Sequence, residues 1–143
     1  MENKIKIYTD GSCKGNPGPG GWGAVVFDNK EEIHLSGGAR ETTNNRMEMM
    51  AMVEALKYLH DKYKDKISKL SIEIYSDSNL IVQTINLKWK KKANTDLWEK
   101  IEALSAWLNI KFIWVKGHAS NKYNNLADEL AQAQGEKFLR KRT

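Results

Sequence analysis

The stretch Lys4-Ile-Lys-Ile-Tyr-Thr-Asp-Gly-Ser-Cys-Lys-Gly-Asn-Pro-Gly-Pro-Gly20 constrains the fold more than any other part of the chain. Ile5 and Ile7 alternate with Lys4 and Lys6, and Tyr8 and Thr9 favour extended backbone, so the stretch opens as a strand. The strand is expected to end at Asp10, with a Gly/Pro-rich loop beyond. A carboxylate at a strand tip has a rigid support at the edge of a core. Glycine lets the following loop approach a ligand closely, because it has no Cβ. Asp-Gly is also a common turn pair, so the rest of the chain must decide what Asp10 is for.

Two more strands follow, Trp22–Phe27 and Glu32–Gly38, with Asp28–Glu31 as the turn between them. Together with the first they predict an antiparallel meander. His34 falls on the outward side. A helix is expected from about Arg46 to Tyr63, with Met49, Met52, Val53, Leu56 and Leu59 on its buried face. Glu48 lies in its first turn, three residues after Asn45, the spacing of a capping box. Lys62 to Lys69 reads as a charged, solvated connection.

Leu70–Ser76 alternates as a fourth strand and runs directly into Asp77. A short helix then starts at Ser78. Asp77 would serve as its N-cap, worth about 1 kcal/mol, but strand-to-helix junctions are also where α/β folds hold ligands. Thr95 is expected to cap a helix from Asp96 to about Leu108. Ile110–Val115 is the fifth strand, and the last helix begins at Asn124 or Asn125, with Asp128 in its opening turns. The resulting order is β-β-β-α-β-α-α-β-α. It predicts an α/β fold with one mixed five-stranded sheet, three strands antiparallel and two parallel, flanked by helices. The first strand is central, with the fourth as its parallel neighbour.

At 143 residues the chain fits a single domain spanning 1–143, with a basic tail at about 138–143. No apolar run approaches the roughly 20 residues of a membrane helix, and the N-terminus carries no apolar signal stretch. A lone cysteine, Cys13, excludes an intramolecular disulfide and points to a reducing, cytoplasmic home. The net charge of +5, with basic runs at Lys88–Lys92 and Lys137–Arg142, points to a polyanion, nucleic acid first.

Asp10, Glu48, Asp77 and Asp128 all fall at the ends or starts of elements. Spacing alone does not prove that they converge. If they do, the site is all oxygen and selects Mg²⁺ or Mn²⁺ over zinc or copper. Two such ions would clamp a phosphodiester for in-line displacement. His118, on a loop after the fifth strand, is placed to move a proton near neutral pH.

Tyr8–Gly23, Thr42–Ala51, Tyr75–Ser78 and Trp114–Ala119, with Asn124 and Ala127–Ala131 after it, are similar in order and wording to the motifs of type 1 ribonuclease H. The resemblance covers nearly the whole chain. It implies an endonuclease that cuts the RNA strand of RNA/DNA hybrids and leaves 3′-hydroxyl and 5′-phosphate ends. It implies Asp10, Glu48, Asp77 and Asp128 as metal-binding carboxylates, and His118 in proton transfer or product release. Cys13, Asn16 and Asn45 would lie near the minor groove, and Thr43 with Asn44 would hold a phosphate of the DNA strand.

There are two departures from the family pattern. Asn79 stands where glutamine is frequent, one methylene shorter for a minor-groove contact. The longer basic, tryptophan-rich segment of many members is reduced to Trp89 and its lysines. Weaker or more salt-sensitive hybrid binding follows, unless Lys88, Lys90, Lys91, Lys92 or the tail compensates. Trp89 would meet the DNA sugars or be partly buried. The chain is expected to act as a monomer. The rival readings are a non-catalytic hybrid-binding relative, or another nuclease of the same fold.

Overall fold

The computed structural model describes residues 4–116 and 122–140. The strands are β1 (Lys4–Cys13), β2 (Gly18–Asp28), β3 (Glu31–Thr42), β4 (Ser71–Ser76) and β5 (Asn109–Trp114). The helices are α1 (Asn44–Tyr63), α2 (Asn79–Asn86), α3 (Thr95–Ser105) and α4 (Lys122–Arg140), with a 3-10 turn at Lys64–Lys69. The sheet order is β3-β2-β1-β4-β5, antiparallel through β3, β2 and β1 and parallel through β1, β4 and β5. This is the mixed sheet expected from the sequence, with β1 in the middle.

One face of the sheet carries Ile5, Ile7, Ala24, Val26, Ile72 and Ile74, covered by the Met49, Met52, Val53, Leu56 and Leu59 face of α1. Six buried apolar side chains on the strands and five on the helix give the main core its driving force, at roughly 1.5–3 kcal/mol for each large side chain removed from water. The other face carries Tyr8 and Val25, with Phe27 and Tyr75 beside them, packed beneath Ala127 and Tyr123 of α4. Tyr8 stacks on Tyr75 with ring centroids 4.7 Å apart.

The glycine-rich segment departs from expectation. β1 does not stop at Asp10. It runs on to Cys13, paired with a β2 that begins at Gly18. The glycines lie inside this hairpin because helices rest on it. A Cβ on Gly21 would strike the Ala131 carbonyl, and one on Gly23 the Ala127 carbonyl, so α4 lies directly on the main chain of β2. Asp10 therefore sits where pairing with β4 ends, since the last β1–β4 partners are Thr9 and Ser76. Past that point one side of β1 is open, at the carboxyl ends of the parallel strands.

Several helix ends also differ. Thr43, not Asn45, caps α1, its Oγ1 accepting from Arg46 N–H at 3.2 Å, so Asn45 and Glu48 form no capping box. Thr-Thr-Asn-Asn offers four good capping residues in a row, and tertiary packing selects among them. Ser78, not Asp77, caps α2. Asn94, in a left-handed conformation, precedes α3, which stops at Ser105 rather than Leu108. α4 starts at Lys122, which moves Asp128 into its second turn, and it continues to Arg140, so residues 138–140 are helical rather than a frayed tail. Lys62–Lys69 is not simply solvated: Ile67 is buried, and both Lys62 and Tyr63 bind Asp28.

Candidate active site

Asp10, Glu48 and Asp77 each bring a carboxylate oxygen within 4.8 Å of the others. Each arrives on a different element. Asp10 is carried by β1 opposite Gly23. Asp77 lies in the bend just after β4. Glu48 comes from the start of α1, and its approach depends on Gly11. A Cβ there would collide with the Glu48 main-chain nitrogen and lie 2.6 Å from the Met47 carbonyl carbon. Real Cβ atoms essentially never come so close to backbone, so only glycine lets α1 dock this near Asp10.

Two of the carboxylates are deep. Asp10 is 4% exposed and Glu48 8%. Burial is the main cause that raises Asp10 from 3.8 to about 7. A hydrogen bond with Glu48 opposes it, and the charges of Asp77 and Asp128 add to it. Burial likewise pushes Glu48 well above its usual range, followed by the charge of Asp10. Glu48 Oε2 is buried with no hydrogen-bond partner. A buried acceptor left without a donor is costly. Acids held together out of water in this way call for a cation, and an all-oxygen donor set fits a hard divalent one.

The other expected residues divide into those brought to this end of the sheet and those that are not. Asp128 stays outside the three-carboxylate group and accepts from Gln132 Nε2 at 2.9 Å, yet its charge still acts on Asp10. His118 lies outside the described residues. Cys13 follows Asp10 on β1, its thiol donating to the Thr42 carbonyl at 3.3 Å. Asn16 Oδ1 accepts from Asn44 N–H at 3.1 Å, which ties the β1–β2 connection to the start of α1. Asn44 and Asn45 are exposed there. Asn79, also exposed, accepts from Gln83 Nε2 at 3.4 Å.

Trp89 is 44% exposed. It lines a cavity of about 460 Å³ with Asn45, Met49, Ile81 and Trp98, rimmed by Lys90, Lys91 and Lys92. Lys91 is partly spent inward, 2.9 Å from Glu102 and 5.7 Å from the centre of the Trp98 ring. Arg46 grips Asp96 through both guanidinium nitrogens, at 3.0 and 2.8 Å, which fastens the end of the basic segment to the start of α1.

Sequence reasoning missed Gly11 as a packing requirement and gave Trp114 no role. The indole Nε1–H of Trp114 donates to the Asp77 carbonyl at 3.2 Å. A glycine shows no periodicity, and an indole-to-carbonyl bond across 37 residues leaves no local trace in the sequence.

Comparison with known proteins agrees with this geometry. The family model for RNase H matches residues 2–136. A Ribonuclease H of Chlorobium phaeovibrioides is 44% identical, over 92% of this chain and 95% of its own. One of Ehrlichia canis is 42% identical, over 92% of this chain and 94% of its own. Among solved structures, LC11-RNase H1 in complex with an RNA/DNA hybrid superposes with a TM-score of 0.81 at 33% identity, covering 94% of this chain and 99% of that one. The N-terminal RNase H domain of a Mycobacterium tuberculosis protein gives 0.83 at 26% identity, covering 99% and 100%. With its five-stranded sheet and its carboxylates gathered at the open side of β1, the chain belongs to the ribonuclease H family and is a ribonuclease H enzyme of the type 1 kind.

Proposed function

We propose that this enzyme hydrolyses the RNA strand of RNA/DNA hybrids with the help of divalent metal, leaving 3′-hydroxyl and 5′-phosphate ends. The observation that carries the reading is the convergence of Asp10, Glu48 and Asp77 within 4.8 Å, with Glu48 Oε2 buried and unpartnered. These residues, with Asp128 of α4, would hold Mg²⁺ or Mn²⁺, two ions once substrate is bound. Bound ions of this kind supply charge neutralisation at the phosphate and a water acidic enough to attack it.

The chain's own groups do the rest. β1 and α1 carry the buried Asp10 and Glu48, while Asp77 is half-buried. His118 is assigned proton transfer or product release. Cys13, Asn16, Asn45 and Asn79 are assigned to the minor groove, where small polar groups distinguish a 2′-hydroxyl from hydrogen. Thr43 and Asn44 are assigned to a DNA-strand phosphate. The exposed start of α1 suits this, because the positive end of a helix dipole favours an anion. Trp89 and the exposed Lys88, Lys90 and Lys92 are assigned to the DNA strand. The hybrid held by LC11-RNase H1 supports this choice of substrate. The free thiol of Cys13 suits a reducing, cytoplasmic setting, and the chain is read as a monomer.

The test is cleavage of a labelled RNA/DNA hybrid with Mg²⁺, with Mn²⁺ and with chelator, alongside Asp77→Asn and with duplex DNA and duplex RNA as competitors. Metal-dependent cutting of the RNA strand alone, lost in the variant, is expected. Hybrid binding without cutting under every metal condition would overturn the reading.

A further inference from the structure

The three converging carboxylates are not equally well mounted. Asp10 lies within the β1–β2 ladder. Glu48 lies within α1, its main chain pressed against Gly11. Asp77 lies in neither a ladder nor a helix. The β4–β5 pairing ends at Ser76 and Trp114, and α2 begins only at Asn79.

The bend is nevertheless tied on both sides. Val115 N–H donates to the Ser76 carbonyl at 2.9 Å. Ser78 N–H donates to Ser76 Oγ at 3.1 Å. The Asp77 carbonyl itself takes its hydrogen bond from a side chain, the Trp114 indole, at 3.2 Å.

We propose that Trp114 is a positioning residue: its indole N–H fixes the Asp77 peptide and thereby holds the Asp77 carboxylate in register with Asp10 and Glu48. The inference deepens the carboxylate reading above and rests on it. An aspartate has only two side-chain torsions, so its carboxylate goes where its main chain points. Anchoring the carbonyl removes the remaining freedom of the bend.

Burial does not explain why an indole stands here. Trp22 and Trp98 are nearly covered, at 9% and 7% exposed, whereas Trp114 is 46% exposed. A hydrogen bond in reach of water contributes little net stability. Its loss leaves the fold intact but loosens a site that tolerates only about 0.5 Å of misplacement. Groups that orient metal ligands typically matter about 10- to 100-fold in metal affinity or activity.

The experiment compares wild type, Trp114→Phe, and a protein with benzothienylalanine at 114, which keeps the bicyclic shape and lacks the N–H. Asp77→Asn is the control. Mn²⁺ binding without substrate is measured by titration calorimetry, thermal unfolding in chelator, and kcat and KM on a hybrid in Mg²⁺. Both Trp114 replacements are expected to unfold within a few degrees of wild type. They should weaken Mn²⁺ binding severalfold and lower kcat about tenfold, with KM for the hybrid unchanged.

Wild-type Mn²⁺ affinity and kcat in the benzothienylalanine protein would overturn the proposal. So would a raised KM with unchanged kcat, which would make Trp114 a hybrid contact instead. Asp77→Asn with full metal binding and cleavage would instead overturn the carboxylate assignment itself, so the two failures are distinct.

Discussion

The β1–β2 hairpin carries a buried carboxylate at each end, and the two are held in opposite ways. Asp28, opposite Ile5 and 1% exposed, accepts from Tyr63 OH at 2.6 Å and from Lys62 Nζ at 2.7 Å. Asp10, opposite Gly23 and almost as deep, has two other acids for company instead of a cation. Among the described residues its one backbone donor is the N–H of the adjacent Gly11, at 2.9 Å. Burial alone therefore does not distinguish a structural acid from a functional one; the neighbours do. A satisfied buried acid fastens the chain, here β2 to the end of α1. A buried acid whose neighbours are other acids is a standing demand for a cation.

Exchanging the charges at the two ends breaks the comparison most sharply. Asp10→Asn is expected to lower hybrid cleavage by about a thousandfold or more, whereas Asp28→Asn should leave kcat within about threefold of wild type. Single-turnover cleavage of a labelled hybrid measures both. Equal losses would mean that the distinction drawn between the ends is wrong.

In stability the order reverses. Asp28→Asn removes the charge that Lys62 and Tyr63 share and is expected to cost about 2–3 kcal/mol in urea unfolding.

Asp10→Asn should go the other way in metal-free protein, adding about 1–2 kcal/mol at pH 8. The folded chain holds the Asp10 proton up to about pH 7, against 3.8 for an ordinary aspartate. Folded protein thus binds more protons than unfolded between those values, and metal-free stability falls as the pH rises through this window. The gain from Asp10→Asn should disappear below pH 4 and shrink when Mg²⁺ is added. Thermal unfolding in chelator across pH 3.5 to 8.5 reads the effect, and a gain independent of pH would contradict the assigned cause.

The smallest effect concerns Lys62. Its hydrogen bond to Asp28 raises its pKa above the usual 10.5. The stability it lends is fully present below pH 10.5 and is lost only as the pH climbs beyond. Lys62→Met should cost less than Asp28→Asn, with a constant penalty from pH 6 to 10. Urea midpoints at the two ends of that range check this.

These two ends were not equally legible in the sequence. Asp10 stood out because a strand pattern ran straight into it, and Glu48 and Asp77 because they fell at element boundaries. Period-two alternation located the strands, and the Met49, Met52, Val53, Leu56, Leu59 spacing located the face of α1. Asp28, by contrast, reads as a turn residue, and Lys62 and Tyr63 as parts of a solvated link. Their bonds span 34 and 35 residues, and no local pattern records a partner so far away. The glycines from Gly11 to Gly20 stand out in the sequence but read there as loop. Their purpose depends on what rests against them, which only the assembled sheet reveals. The choice of Thr43 over Asn45 as cap was hidden for a related reason: each of four neighbouring residues was chemically adequate.

The seating of α4 on Gly21 and Gly23 has one more consequence. Most helices ride on a cushion of side chains, and a cushion can be re-stuffed: one methyl larger here, one smaller there, and the helix shifts by a fraction of an ångström. α4 has no cushion at this point. Carbonyls of Ala127 and Ala131 lie where a Cβ on β2 would be, so the height of the helix above the sheet is set by main chain on main chain. Asp128 is the next residue after Ala127. Its distance from the other acids is thus a fixed dimension of the scaffold, like a hole drilled in a casting. A single methyl added at Gly21 or Gly23 would lift that acid away from the others.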